Sequence, residues 1–367
     1  MKIALVHDWY YVNGGAEKVV KAINDVFPEC EHFALFDIMS DQDKLKILNT
    51  TNVTTTFVQK LPFISKLHRK YLQLYPYAIE QLDLREFDII ISSSSSVAKG
   101  VLTNSNQVHI CYCHSPMRYA WDLYHNYIEE SGFNQITRMY AKHVLHKLRL
   151  WDVMSSNRVD FFIANSNYIS KRIKKVYRRD AKVIYPPVNT DYFSLDKNAA
   201  RDYYFTASRM VSYKKIDLIV DAFVKNGKKL VVAGDGPEFK KIKSIAKDNI
   251  VFLGHVSNEK LKQYLQNAKA FIFAAEEDFG IAPVEAQACG TPVIAYGKGG
   301  ALETVIDNKT GVFYYQQNVE SLQDAIKKFD NLTFDYSAIR EHSLKFSTQN
   351  FKATIKQHIT TCAKNSF

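Results

Sequence analysis

Short apolar runs rich in Val and Ile alternate with amphipathic stretches along almost the whole chain. Strands are predicted over residues 2–7, 87–92, 108–113 and 160–165 in the first half. The second half adds 203–207, 229–234, 250–253, 270–274, 292–295 and 311–314, with helical spacing at 216–224 and 258–266. Strands separated by helices of that length mean βαβ units and parallel sheets. The near-continuous hydrophobicity within 87–91 and 271–273 fits strands covered on both faces, as parallel sheets require. Tyr185-Pro186-Pro187-Val188-Asn189 is the best internal boundary, because two prolines fix the backbone and exclude a continuing helix. Phe351, Ile355, Ile359 and Cys362 recur at helical spacing, so residues 350–367 are expected to form a closing amphipathic helix. The expected fold class is α/β, with two doubly wound parallel-sheet (Rossmann-like) domains facing across a cleft. Residues 1–187 would form the first, 188–345 the second, and 346–367 a helix returning to the first. Ligands in such sheets bind beyond the carboxyl ends of the strands.

Composition narrows the class. A chain of 367 residues exceeds what one hydrophobic core usually organises. No apolar run approaches the roughly 20 residues that span a bilayer. The start, Met1-Lys2-Ile3-Ala4-Leu5-Val6-His7-Asp8-Trp9, is interrupted by His7 and Asp8 and reads as a buried strand, not a signal peptide. Cys30, Cys111, Cys113, Cys289 and Cys362 are scattered and odd in number, which fits reduced thiols in a cytoplasmic protein. Cys111, Cys113 and His114 have no second ligand pair at zinc-like spacing, so neither a metal nor another cofactor is expected. The net charge of +10 permits an anionic membrane surface, a nucleic acid or an anionic small molecule as partner.

The most specific segment is residues 271–293, FIFAAEEDFGIAPVEAQACGTPV. A buried strand ends in acidic residues, a Phe279-Gly280 turn follows, and a helix is expected to begin near Pro283, which suits the first helical position. Glu285 would then lie in the first turn, beside unpaired backbone N–H groups and the positive dipole end. Such a loop is a ready site for a diphosphate, bracketed by Glu277 and Glu285. Either glutamate alone would read as an ordinary charged residue.

Glu277 and Glu285, separated by seven residues with Phe279-Gly280 between them, resemble the signature of glycosyltransferase family 4, which has the GT-B fold. The resemblance implies that Glu277 contacts the donor sugar, that Phe279, Gly280, Ile281 and Ala282 hold the diphosphate, and that Glu285 binds the ribose hydroxyls. It extends over nearly the full chain. Arg209 and Lys214, five residues apart after a strand, would neutralise the departing diphosphate. Gly234-Asp235-Gly236-Pro237 matches a structural glycine-rich turn, and Gly254 opens the loop that approaches the base. In the first half, Asn13-Gly14-Gly15-Ala16-Glu17 opens a helix after the first strand. Gly14 and Gly15 would let backbone approach a phosphate or sugar. The pattern is not the G-x-G-x-x-G fingerprint of dinucleotide-binding enzymes. His114, directly after a strand, takes the place of a histidine that contacts the donor sugar, with Arg118, Tyr119 and Trp121 shaping the acceptor side.

The span from His7-Asp8-Trp9 through CYCHSPMRYAWDLY to EEDFGIAPVEA is similar to bacterial O-antigen mannosyltransferases that use GDP-mannose. The resemblance thus implies a retaining, metal-independent enzyme. It would transfer mannose to a lipid-linked (polyprenyl diphosphate) saccharide in surface polysaccharide or O-antigen assembly, at the inner face of the plasma membrane. Residues 63–77 and 137–151 mix cations with apolar and aromatic residues. In the second stretch Tyr140, Val144, Leu148 and Trp151 fall on one helical face, which suits an anionic leaflet or the chain's own sheet. A UDP-hexose donor would share every motif. A GT-B epimerase or phosphorylase would need a different catalytic set. A nucleic-acid-binding protein is indicated by charge alone, without a reading motif.

Overall fold

The computed structural model describes residues 2–12 and 14–366; Asn13 of the glycine segment lies outside the described residues. The chain divides into two compact units, Met1–Pro186 with Phe351–Phe367, and Pro187–Asn350.

The first unit holds seven strands: β1 (Ile3–His7), β2 (Glu31–Ala34), β3 (Thr54–Thr55), β4 (Ile89–Ser94), β5 (Val108–Cys113), β6 (Phe161–Ala164) and β7 (Ala181–Val183). They form one parallel sheet in the order β3-β2-β1-β4-β5-β6-β7. The order reverses between β1 and β4, which places the switch point beside the segments after those two strands. Ile89, Ile90 and Ile91 are all buried, as a strand covered on both faces demands. β2, β3 and β7 went unpredicted because they are short and lie at or next to the sheet edges, where a long apolar run is not needed. The helix Thr348–Ser366 inserts Phe351, Ile355, Ile359 and Cys362 among Leu5, Ile23 and Tyr112 in this unit's core. Each large apolar side chain buried there contributes about 1.5–3 kcal/mol.

The second unit holds β8 (Tyr203–Ala207), β9 (Leu230–Ala233), β10 (Ile250–Gly254), β11 (Ala268–Phe273), β12 (Val293–Tyr296) and β13 (Gly311–Tyr314). They are parallel, in the order β10-β9-β8-β11-β12-β13, and the switch point lies between β8 and β11. Both units are therefore doubly wound α/β sheets, as the alternation of strand and helix patterns predicts.

One local expectation needs correction. The helix after β11 runs Ile281–Ala288, two residues ahead of Pro283. Gly280 adopts the left-handed conformation at its N-terminus (φ 88°) and turns the chain straight into the helix. Pro283 is the third residue, still among the four whose N–H lacks an intrahelical partner. Glu285 consequently sits in the second turn, not the first. On the helix Gln135–Ser156, Leu148 is buried and Val144 and Trp151 half-buried, but Tyr140 is exposed. Its hydroxyl bonds Gln73 Oε1 near the start of the helix, one turn ahead of Val144. Among the described residues no helix is long and apolar enough to cross a membrane. All five cysteines are buried free thiols.

Candidate active site

In the second unit the chain leaves β8 through Ser208 and an exposed Arg209, and a single 3-10 turn, Ser212–Lys214, follows. It leaves the neighbouring β11 into the acidic loop. Because β8 and β11 are adjacent, the Lys214 ammonium reaches the Glu277 carboxylate and pairs with it, although 63 residues separate them. Glu277 is also fixed from behind. The Gly300 N–H donates to the Glu277 carbonyl at 2.8 Å, and a Cβ on Gly300 would run into the Phe279 backbone. Phe279 itself is buried, packed edge-on against Phe346 at 5.4 Å. Its side chain thus anchors the loop, while its backbone leads through Gly280 into Ile281 and Ala282, the first turn of the helix.

Beside this loop lies a cavity of about 490 Å³ lined by Ser208, Arg209, Gly234, His255, Ala282 and Glu285, among others. Glu285 is 7% exposed and still reaches the cavity from the helix's second turn. Gly254 is left-handed (φ 66°) at the end of β10 and carries the chain into His255, which lines the cavity where Gly254 does not. Gly234 (φ 118°) abuts the Ser208 carbonyl so closely that any side chain would collide with it. A helix N-terminus, a guanidinium at the rim and a buried carboxylate together suit a ligand with an anionic part and hydroxyl groups. Ser208, His255 and the Gly299-Gly300 pair went unnoticed in the sequence. The only advance sign was a glycine pair standing between a strand and a helix.

In the first unit His114 follows β5 directly. Its N–H donates to Ser94 O at 2.8 Å, its carbonyl accepts from Asn165 Nδ2 at 2.9 Å, and its Nε2 lies 2.8 Å from Ser93 Oγ. Burial, reinforced by the charge of His7, pushes the His114 pKa down to about 3, so the ring is neutral at pH 7. The following segment is tied down residue by residue. Tyr119 bonds Ser96 Oγ at 2.7 Å, the Trp121 indole donates to Asp152 Oδ2 at 2.8 Å, and Asp122 pairs with Arg172. Tyr119 and Trp121 thus use their polar atoms internally and offer a ligand chiefly ring surface; Arg118 is half-buried beside them. Gly14 precedes the helix Gly15–Val26 at φ −109°, a conformation open to any residue, and its N–H donates to Glu17 Oε2 at 3.0 Å.

His7, Asp8 and Glu17 are buried polar residues that sequence reasoning did not single out. Asp8 accepts from the backbone N–H groups of Ser95, Ser96, Val97 and Ala98 at 2.6–2.9 Å, which fixes the turn after β4. Their one visible sign was the pair of polar residues ending the first apolar run. Among the described residues no cluster of His, Cys, Asp or Glu is placed to hold a metal ion.

Two doubly wound units, the second with an acid-bracketed helix N-terminus, define the GT-B class of glycosyltransferases. Residues 13–192 match the family model Glycosyltransferase Family 4, and residues 188–343 match Glycosyl transferases group 1. The chain belongs to this glycosyltransferase family. It is 24% identical to Alpha-1,3/1,6-mannosyltransferase ALG2 of Dictyostelium discoideum, over 67% of this chain and 68% of that one. It is 30% identical to the GDP-mannose-dependent alpha-(1-6)-phosphatidylinositol monomannoside mannosyltransferase of Mycobacterium tuberculosis, over 44% of this chain and 50% of that one. The chain spans about half the length of most of the curated relatives it matches. Among solved structures, Anabaena Alr3699/HepE in complex with UDP has the same fold, with a TM-score of 0.71 over 98% of this chain and 100% of that one, at 17% identity.

Proposed function

We propose that this chain is a retaining glycosyltransferase that moves mannose from GDP-mannose to a lipid-linked, polyprenyl diphosphate saccharide in surface polysaccharide or O-antigen assembly. The observation that carries it is the Lys214–Glu277 pair at the β8/β11 switch point, next to a cavity lined by Arg209 and Glu285. In this scheme Glu285 takes the ribose hydroxyls, and the amides from Phe279 to Ala282 take the diphosphate. Glu277, with its charge balanced by Lys214, accepts hydrogen bonds from the hexose. Arg209 and Lys214 stabilise the leaving GDP while an oxocarbenium-like sugar develops and the acceptor hydroxyl attacks from the same face. Preorganised cations of this kind are worth roughly 10²–10³ in rate each. Because the charge comes from side chains, turnover should persist in EDTA. His114 keeps the sugar-contacting role that the family resemblance gives it. Gly14 and Gly15 would bring backbone close to the donor, Gly254 would turn the chain so that His255 reaches it, and Arg118, Tyr119 and Trp121 would face the acceptor.

Mannose is supported by the two mannosyltransferase relatives. A UDP-hexose donor is the second reading, favoured by the UDP in the Anabaena structure. The lipid-linked acceptor is supported by the helix Gln135–Ser156, whose outward face exposes Ile136 (81%), Met139 (69%), Leu150 and Met154 between Lys142, Lys147 and Arg138. The Tyr140–Gln73 bond joins this helix to residues 63–77, which expose Phe63 and Tyr77. An apolar, cationic surface suits the anionic inner leaflet, at about 1 kcal/mol per surface Lys or Arg. The test is transfer of labelled mannose from GDP-mannose to extracted lipid-linked saccharides. Label should appear in the lipid fraction with the wild type and not with Glu277→Ala; near wild-type turnover by Glu277→Ala would overturn the assignment.

A further inference from the structure

A buried chain of polar groups runs from the glycine segment to His114. The Gly14 N–H donates to Glu17 Oε2 at 3.0 Å, and Glu17 Oε1 lies 3.7 Å from His7 Nε2. His7 Nδ1 lies 3.2 Å from the Ser93 carbonyl and 3.1 Å from Ser93 Oγ, and that hydroxyl is 2.8 Å from His114 Nε2. Sheet register sets the arrangement, because His7 and Ser93 are directly paired on β1 and β4, and β5 delivers His114 on the other side.

Donor and acceptor directions follow from chemistry. A carbonyl only accepts, so His7 Nδ1 carries a proton toward Ser93 O. The Glu17 carboxyl beside His7 Nε2 favours a second proton there, giving an imidazolium. The Ser93 hydroxyl, already facing a donor at His7, has one hydrogen, and the remaining partner is His114 Nε2. We propose that Ser93, held by His7 and Glu17, fixes His114 as the neutral tautomer protonated at Nδ1, so that His114 offers its ligand a hydrogen-bond donor and never an acceptor. Among the described residues His114 Nδ1 makes no hydrogen bond, and the ring is half-buried, so that donor is available to a ligand. Charge agrees with geometry. Burial alone would lower the His7 pKa, but the neighbouring Glu17, with the charge of Asp8, raises it above the ordinary value. A cation at His7 disfavours a second one at His114. The Tyr10 ring lies 5.1 Å from that of His7.

Ser93, His7 and Glu17 are positioning residues, and their effect on turnover rests on the proposed sugar contact of His114. The tautomer itself does not depend on that proposal. The full chain labelled with ¹⁵N-histidine, read by long-range ¹H–¹⁵N correlation at pH 7, tests it, with His114→Gln providing the assignment. His114 should be protonated at Nδ1 alone and His7 at both nitrogens. In Ser93→Ala, His114 should revert toward the Nε2–H form that free histidine prefers. Mannosyl transfer should then fall roughly tenfold while GDP affinity is unchanged. Ser93→Thr, which keeps the hydroxyl, should restore the Nδ1–H form. An Nε2–H or charged His114 in the wild type, or an unchanged tautomer in Ser93→Ala, overturns the assignment. If Ser93→Ala does not fold, the wild-type spectrum still decides. A tautomer shift with unchanged turnover overturns the catalytic consequence. A wild type with the Nδ1–H tautomer but no sugar-nucleotide turnover supports the tautomer and refutes the proposed function.

Discussion

Replacing Asp152 by Asn removes one charge and almost no volume from the core of the first unit. Asp152 is fully buried and faces the ammonium of Lys99, itself 1% exposed. It also accepts from Trp121 at 2.8 Å and from the Tyr177 hydroxyl at 3.0 Å, while Lys99 holds Ser96 O at 3.0 Å. With an amide in place, Lys99 must either stay charged without a counter-ion or lose its proton. Breaking such a pair costs about 3–5 kcal/mol. Deprotonation sets the ceiling: about 1.36 kcal/mol per unit below the ordinary lysine value near 10.4 gives about 4.6 kcal/mol at pH 7 and about 1.9 kcal/mol at pH 9. The pH dependence has a definite sign. In the wild type burial lowers the Lys99 pKa, but the charge and hydrogen bond of Asp152 raise it above the ordinary value. That contribution is fully present below the unfolded value, flat between pH 7 and 9, and lost only as pH rises through the folded value. In the variant the folded lysine titrates below its unfolded value, so stability rises with pH. The deficit should therefore be about 3–4.6 kcal/mol at pH 7 and shrink by up to about 2.7 kcal/mol by pH 9. All three tryptophans, Trp9, Trp121 and Trp151, belong to the first unit, so urea unfolding followed by Trp fluorescence reports that unit. A deficit under about 1 kcal/mol, or one independent of pH, would refute the reasoning.

Gly300→Ala should push the Phe279 backbone away and displace Glu277, weakening GDP-mannose turnover about tenfold or more in a steady-state assay. Ile136→Glu combined with Met139→Glu should abolish co-sedimentation with anionic liposomes at low salt while leaving GDP binding intact; unchanged sedimentation would remove this helix from the membrane surface. Transfer measured in excess EDTA should match the untreated rate, and loss restored by added Mg²⁺ would contradict charge stabilisation by Arg209 and Lys214.

Much of the fold was legible because parallel strands in the middle of a sheet need apolar side chains on both faces. β5, β8 and β13 were read to the residue, and the interior β4 and β11 to within two. β2 was missed because its four residues include Glu31 and His32, the latter bonded to Asn24 inside the fold. The acidic loop stood out because strand, turn and helix signals coincide within residues 271–293. The helix boundary was misplaced because proline was taken to mark the first helical position, whereas the left-handed Gly280 directly precedes it. The pairing of Lys214 with Glu277 could not be read from the sequence, since it depends on β8 and β11 becoming neighbours. Residues 92–96 are five consecutive serines. Their meaning comes from β4 lying between β1 and β5, which gives Ser92 to His109, Ser93 to His7 and His114, and Ser96 to Asp8 and Tyr119.

The most direct test of the account is calorimetric titration of the full chain with GDP, UDP and GDP-mannose, repeated on Glu285→Ala. Tight binding of GDP and GDP-mannose, weaker binding of UDP, and loss of affinity in Glu285→Ala by about tenfold or more are predicted for a nucleotide held in the second unit's cavity. Preference for UDP would keep the site and replace the donor. Absence of binding by all three ligands, or unchanged affinity in Glu285→Ala, would contradict the assignment of that cavity to the sugar nucleotide.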